Sequence, residues 1–261
     1  MAGQRPAMCY FGVHGAGAPH QMASSDLTVT DRPTIADSEP RSAFYGRRVG
    51  KALRGQQQDA IARLLPHRRF ALEEAADPRA LFAHDPAELR LEIGFGGGEH
   101  LIAHAARRPQ AGFIGVEPFV NGMARMLVDL DKTDLANIRV IDVDAALVLA
   151  RLPAGCLAGV DLFYPDPWPK RRHWKRRFVN PDNLGLLAHA LAPGAEFRFA
   201  SDVPHYVGWT LAQVRRHGAF RWTASTAQDW TQPFAHWSGT RYEAKARAEG
   251  RIPTYLTFVR I

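Results

Sequence analysis

Leu89-Arg90-Leu91-Glu92-Ile93-Gly94-Phe95-Gly96-Gly97-Gly98-Glu99 runs from a short apolar stretch into clustered glycines and then into a segment with helical spacing. A strand that empties into a glycine loop and restarts as a helix is the opening of an α/β sheet that binds a ligand at its strand ends. Gly94, Gly96 and Gly98 let a ligand approach the backbone closely, because no Cβ stands in the way. Glu117 follows Gly94 by 23 residues, at the end of the next apolar run, where a carboxylate reads a ribose diol. A dinucleotide site shares these features, but it favours Gly or Ala where this chain carries Glu99.

Outward from that loop the chain alternates. The runs Leu89–Ile93, Phe113–Val116, Ile138–Ile141, Val160–Phe163 and Phe197–Ala200 read as strands. Glu99–Ala106, Val120–Leu130, Ala145–Leu152, Asn183–Leu191 and His205–His217 carry helical spacing between or after them. Phe220–Thr223 and Tyr255–Ile261 add two β-rich runs suited to an antiparallel edge. The expected fold is α/β and Rossmann-like: a mostly parallel seven-stranded sheet with helices on both faces. Ligands of such sheets bind beyond the carboxyl ends of the strands. There the five consecutive runs lead to Glu92, Glu117, Asp142 with Asp144, Asp166 and Asp202. A rim of acids disfavours a phosphate-bearing cofactor and suits a cationic one, S-adenosylmethionine. Glu92 is expected near its sulfonium or amino-acid end, Glu117 on the ribose and Asp144 near the adenine amine.

The chain of 261 residues has a net charge of +7 and an isoelectric point near 9.8, which point to an acidic partner, most simply nucleic acid. No apolar stretch approaches bilayer length, which predicts no membrane span. Cys9 and Cys156 form neither a disulfide framework nor a metal spacing, so a reducing, cytoplasmic setting and no metal are expected. Residues 1–40 are rich in small and polar residues without a period and are expected to be disordered. A basic arm and helix are expected over 41–87 and the catalytic domain over 88–261. The arm, from Arg41 to Arg54, interleaves Arg47, Arg48 and Lys51 with Phe44 and Tyr45, as backbone-tracking arms do.

Tyr164-Pro165-Asp166-Pro167-Trp168-Pro169-Lys170-Arg171-Arg172-His173-Trp174-Lys175-Arg176-Arg177 holds a carboxylate between two prolines, beside an indole, at the mouth of a cationic run. Prolines restrict the local backbone. A rigid acid and a ring beside dense positive charge suit a flat base carried on a polyanion. Later, Thr240-Arg241-Tyr242-Glu243 has the spacing of a capping box opening a helix over 243–249.

From about Arg41 onward the chain resembles the bacterial tRNA (guanine-N7-)-methyltransferases. The match rests on the glycine loop, on Gly115-Val116-Glu117, on Asp144-Ala145, on the proline–basic motif and on Thr240-x-Tyr242-Glu243. The resemblance implies a class I methyltransferase fold, S-adenosylmethionine as donor and a guanosine of the tRNA variable loop, position forty-six, as target. It implies that Glu92, Glu117, Asp144 and Asp166 line the cofactor site together with Gly94, Gly96, Gly98 and Ala145. Asp166 is also implied as catalytic. Lys170, Asp202 and Thr240 to Glu243 are implied as substrate contacts. The tRNA backbone is expected on Arg47, Arg48, Lys51, Arg172, Lys175, Arg176 and Arg177, and the enzyme as a monomer or homodimer. The segment before Arg41 departs from the family pattern. Two other readings stand beside this one: methylation of an exocyclic amine on a nucleobase, and an inactive methyltransferase fold serving as an RNA-binding module.

Overall fold

The protein is described by a computed structural model over residues 45–261. The expected disorder of residues 1–40, and the start of the basic arm through Phe44, lie outside the described residues. Seven strands form one sheet: β1 (Glu88–Ile93), β2 (Ala111–Val116), β3 (Ile138–Ile141), β4 (Leu157–Phe163), β5 (Leu191–Ser201), β6 (Phe220–Trp222) and β7 (Thr254–Arg260). Their order is β3-β2-β1-β4-β5-β7-β6. The first five strands are parallel, β7 is antiparallel to β5, and β6 is antiparallel to β7. The chain therefore steps outward from β1 in both directions. The strand order reverses between β1 and β4, which opens a crevice beyond their carboxyl ends.

The helices that frame the sheet are α1 (Gly55–Arg68), α2 (Glu99–Arg107), α3 (Val120–Leu130), α4 (Ala145–Leu149), α5 (Pro181–Ala190), α6 (Pro204–His217), α7 (Gln228–Thr231) and α8 (Arg241–Ala248). Side chains alternate faces along each strand. Leu89, Leu91 and Ile93 pack with Val148, Leu184 and Leu187 of α4 and α5, while Phe113 packs with Leu101 and Met123 of α2 and α3. All six residues of β2 are buried, as expected of a strand covered on both sides. α1 packs on α3 through Ala60, which is 2% exposed, so the arm and helix share the core of the sheet rather than standing apart.

The even-numbered positions of β1 break the apolar pattern. Arg90 and Glu92 point toward α2, and Glu92 lies in register with Asp161 of β4, which lies in register with Arg198 of β5. His100 and His104, one turn apart on α2, cover this row. Arg198 makes a two-pronged contact with Asp161, Nε to Oδ1 and Nη2 to Oδ2 at 2.6 Å each. His100 Nδ1 meets Glu92 Oε2 at 2.8 Å. Burial alone would raise the Asp161 pKa. The charge of Arg198 and bonds from its neighbours outweigh burial and hold it far below the usual carboxylate range.

Candidate active site

A cavity of about 430 Å³ lies at the carboxyl ends of β1, β2 and β4. That is the size of a small-ligand site. Of the glycine loop, Gly94 lines the cavity, whereas Gly96 lies behind Tyr242 and Gly98 against Met126. Gly94, Gly96 and Gly98 have φ values of 70°, 56° and 77°, a region that L side chains rarely adopt. A Cβ on Gly98 would also collide with Met126, which explains the glycine there twice over.

Glu117 ends β2 and reaches back under the loop. Its Oε2 accepts the Gly96 N–H at 2.6 Å and its Oε1 accepts the Phe119 N–H at 2.9 Å. Burial raises its pKa, and those two N–H donors oppose the shift. Two backbone bonds leave half of the lone-pair sites of a carboxylate for a ligand. Asp144 is buried and caps α4, where its Oδ1 accepts the Ala146 N–H at 3.0 Å. Ala145 lines the wall beside it.

Pro165, Asp166 and Trp168 form the opposite wall. Tyr164 and Trp168 bracket this turn with φ of 50° and 41°, left-handed conformations that cost on the order of 1–3 kcal/mol each for such residues. Asp166 sits exposed on the rim, and desolvation by the surrounding walls raises its pKa. Beyond the turn Arg171–Arg176 forms a short 3-10 helix. It brings Arg176 between two rings, 5.0 Å from the centroid of Tyr45 and 5.0 Å from that of Trp168. The arm is stitched down by its backbone: the Arg48 carbonyl accepts the Val120 N–H, and Asn121 bonds both Gly50 and Lys51. Its Tyr45 and Arg47 thereby line the cavity, as does Lys175 of the basic run. Trp168 is a wall of the cavity.

Of the six acids expected along the rim, Glu117, Asp144 and Asp166 line the cavity and Glu92, Asp142 and Asp202 do not; Asp142 pairs with Arg69. Glu92 faces α2 and is taken by His100, because its position in β1 has the parity of that face. Asp202 pairs with Arg251. In the Thr240–Glu243 segment, only Tyr242 lines the cavity, with its ring against Gly96. Arg241 lies over that ring at 4.9 Å. Thr240 caps α8 by accepting the Glu243 N–H at 3.1 Å, which is the capping role the spacing suggests. The helix starts at Arg241, two residues before the expected Glu243. Glu243 itself is 5% exposed, accepts from Tyr255 Oη at 2.6 Å, and also contacts Trp237 and Arg247. It anchors α8 rather than facing a ligand.

Among the basic residues, Lys170 and Arg172 are exposed outside the cavity lining. Arg177 is a correction. It is 1% exposed, with its guanidinium about 5 Å from the rings of Trp174 (5.2 Å), Tyr206 (5.0 Å) and Trp209 (5.0 Å), so it is not available to an external phosphate. Sequence proximity to five exposed or half-exposed cations hides this, since a run says nothing about which member turns inward.

One group of side chains among the described residues has the composition of a metal site. His100, His104 and Asp161 bring ligand atoms within 4.8 Å of one another. Their spacing on α2, one turn apart, is the signal that was there to read. Arg198 already occupies both Asp161 oxygens and Glu92 takes His100, so the cluster is a satisfied polar network. A larger cavity, about 790 Å³, lies beside it and away from the strand ends. Phe119, Asn180 and Asn183 line the first cavity without having been marked in the sequence, because nothing local distinguishes them.

No helix among the described residues is long and apolar enough to cross a membrane. The sheet is the expected Rossmann-like class I methyltransferase arrangement, five parallel strands with β7 inserted antiparallel before β6. The family described as "Putative methyltransferase" matches residues 86–254. A tRNA (guanine-N(7)-)-methyltransferase of Azorhizobium caulinodans is 61% identical over 227 residues, 87% of this chain and 99% of that one. Its counterpart in Mesorhizobium japonicum is 55% identical over 236 residues, 90% of this chain and all of that one (100%). A solved 16S rRNA methyltransferase, KamB, overlays with a TM-score of 0.49 at 16% identity, over 74% of this chain and 95% of that one. The chain belongs to the tRNA (guanine-N7-)-methyltransferase family.

Proposed function

We propose that this protein methylates N7 of a guanosine in the variable loop of tRNA, at position forty-six, with S-adenosylmethionine as donor. The observation that carries the reading is one cavity in which Glu117, Asp144 and Asp166 meet the aromatic and cationic side chains of Tyr45, Arg47, Trp168 and Arg176. The acids match a cationic donor, and Gly94 offers a stretch of wall without a side chain. Glu117 takes the ribose hydroxyls through its free lone pairs, and Asp144 stands for the adenine amine. When bound, S-adenosylmethionine supplies an electrophilic methyl group on a sulfonium.

The N7 of guanine has an in-plane lone pair and no proton, so no base and no metal is needed to ready it. The work of the chain is alignment, which accounts for large rate factors by itself. Asp166 accepts from the N–H groups on the Watson–Crick edge of the guanine and holds the ring in line. Its negative charge also favours the positive charge that builds on the purine. Trp168 and Tyr242 bound the base, and Arg47 and Lys175 take the flanking phosphates. An exocyclic-amine target would call for a group to accept the amine proton, and N7 does not.

The test is nucleoside mass spectrometry of unmodified tRNA incubated with donor and purified protein in the presence of a chelator. 7-Methylguanosine is expected from the wild type, and Asp166→Ala should reduce its rate of formation by on the order of 10²–10³-fold while remaining folded. N2-methylguanosine or N6-methyladenosine as product would overturn the N7 assignment. Full activity in Asp166→Ala would remove that residue from the chemistry.

A further inference from the structure

Asp166 has no hydrogen-bond or ion-pair partner among the described residues, so nothing on its own side chain fixes where its carboxylate points. Its direction is inherited from the backbone of the turn. That backbone is strained at both ends, at Tyr164 (φ 50°) and Trp168 (φ 41°), and strained conformations persist only where the surroundings overdetermine them. The Tyr164 N–H is held by the Ala200 carbonyl at 2.8 Å, and Arg177 supplies the constraint at the Trp168 end. Its Nε donates to the Pro167 carbonyl at 2.8 Å, and its Nη2 donates to His205 Nδ1 at 3.0 Å and to the Trp168 carbonyl at 3.4 Å. The guanidinium is caged by Trp174, Tyr206 and Trp209, and Trp209 is in turn fixed by its Nε1–H to the Val179 carbonyl at 2.7 Å. The Arg177 backbone is held as well, its N–H by the Trp174 carbonyl and its carbonyl by Asn180. A planar fork in a rigid cage thus grips the two carbonyls that follow Asp166.

We propose that Arg177 is the positioning residue of the active site: it aims the Asp166 carboxylate by holding the carbonyls of Pro167 and Trp168. The proposal rests on the methyl-transfer reading of the cavity given above. A lysine keeps the charge but has neither the fork nor the planar face for the cage. A small misplacement of an aligning group is enough to cost about 10²-fold in rate.

The experiment compares wild type, Arg177→Lys, Asp166→Asn and the double variant in single-turnover methylation at saturating tRNA and S-adenosylmethionine. Melting temperature, donor affinity and the salt dependence of tRNA binding are measured beside it. Arg177→Lys should lose roughly 10- to 100-fold in the single-turnover rate. Its donor affinity and salt slope should match the wild type. In the double variant the two losses should not multiply, because Arg177 acts through Asp166. His205→Leu, which removes the acceptor of Arg177 Nη2 outside the cavity, should lower the same rate by a smaller factor. It decides the matter if Arg177→Lys does not fold. Wild-type rates in both variants, multiplying losses, or a salt slope shallower by the amount of one phosphate contact would each overturn the proposal. An inactive wild type would instead overturn the reading of the cavity, and this inference with it.

Discussion

The basic stretch Lys170–Arg177 and the polar row beneath α2 hold similar numbers of ionisable side chains, gathered in different ways. The first lies along eight consecutive residues and is largely exposed. The second is assembled from β1, α2, β4 and β5: Arg90, Glu92, His100, His104, Asp161 and Arg198, each 9% exposed or less. In the first, like charges crowd together, which water tolerates and a polyanion rewards. In the second, opposite charges are matched one against another, because a buried charge without a partner is strongly destabilising. Arg177 is the exception that joins the two patterns. It belongs to the exposed run by sequence and to the interior by position, where aromatic faces and carbonyls take the place of a carboxylate.

The contrast can be broken first at Asp161. Asp161→Ala leaves the Arg198 guanidinium buried without its carboxylate and should cost about 3–5 kcal/mol in urea unfolding at neutral pH. A loss below about 1 kcal/mol, typical of exposed pairs, would mean that solvent from the neighbouring cavity already screens the pair.

A smaller effect is expected with pH. Burial pushes the His104 pKa down to about 4, against an ordinary value of 6.5. The native state therefore resists a proton that the unfolded chain accepts. Stability should be fully present above about pH 6.5 and decline as pH falls toward 4, by up to about 1.4 kcal/mol per pH unit from this group. His104→Asn should flatten that part of the curve, read from unfolding midpoints across the range. A slope unchanged by the substitution would assign the acid sensitivity to another group.

The smallest effects belong to the exposed run. Lys175→Ala and Arg47→Ala should each reduce the slope of log affinity for tRNA against log salt by roughly 0.7–0.9, with the melting temperature unchanged. Slopes equal to the wild type would mean that these cations are solvated surface and that the RNA lies elsewhere.

The parallel strands were legible because each is a short continuous apolar run, the pattern of strands covered on both faces. Boundaries slipped where the ladder is irregular. β5 starts at Leu191 rather than Phe197, since Pro193 and Gly194 interrupt the apolar run and a register shift between Leu157 and Gly159 absorbs them. In the cavity, Glu117, Asp144 and Asp166 were legible because topology alone brings strand ends together. Glu92 and Arg177 were not, because strand parity in one case and a single inward turn in the other decide which way a side chain faces. The 3-10 helix that sets Arg176 against Tyr45 was likewise invisible, since it depends on rings more than a hundred residues apart in the chain.

The place of β7 between β5 and β6 bears on how the molecule is made. β5 emerges from synthesis with one edge unpaired and keeps it until β7 arrives, some fifty residues later in the chain. An open edge of buried, apolar strand is a template for pairing with other chains. Tyr255, on β7, bonds Glu243 and so fixes the helix that presents Tyr242 to the glycine loop. A nascent chain is therefore at its most vulnerable to self-association, and still without one wall of its active site, over the same interval of translation.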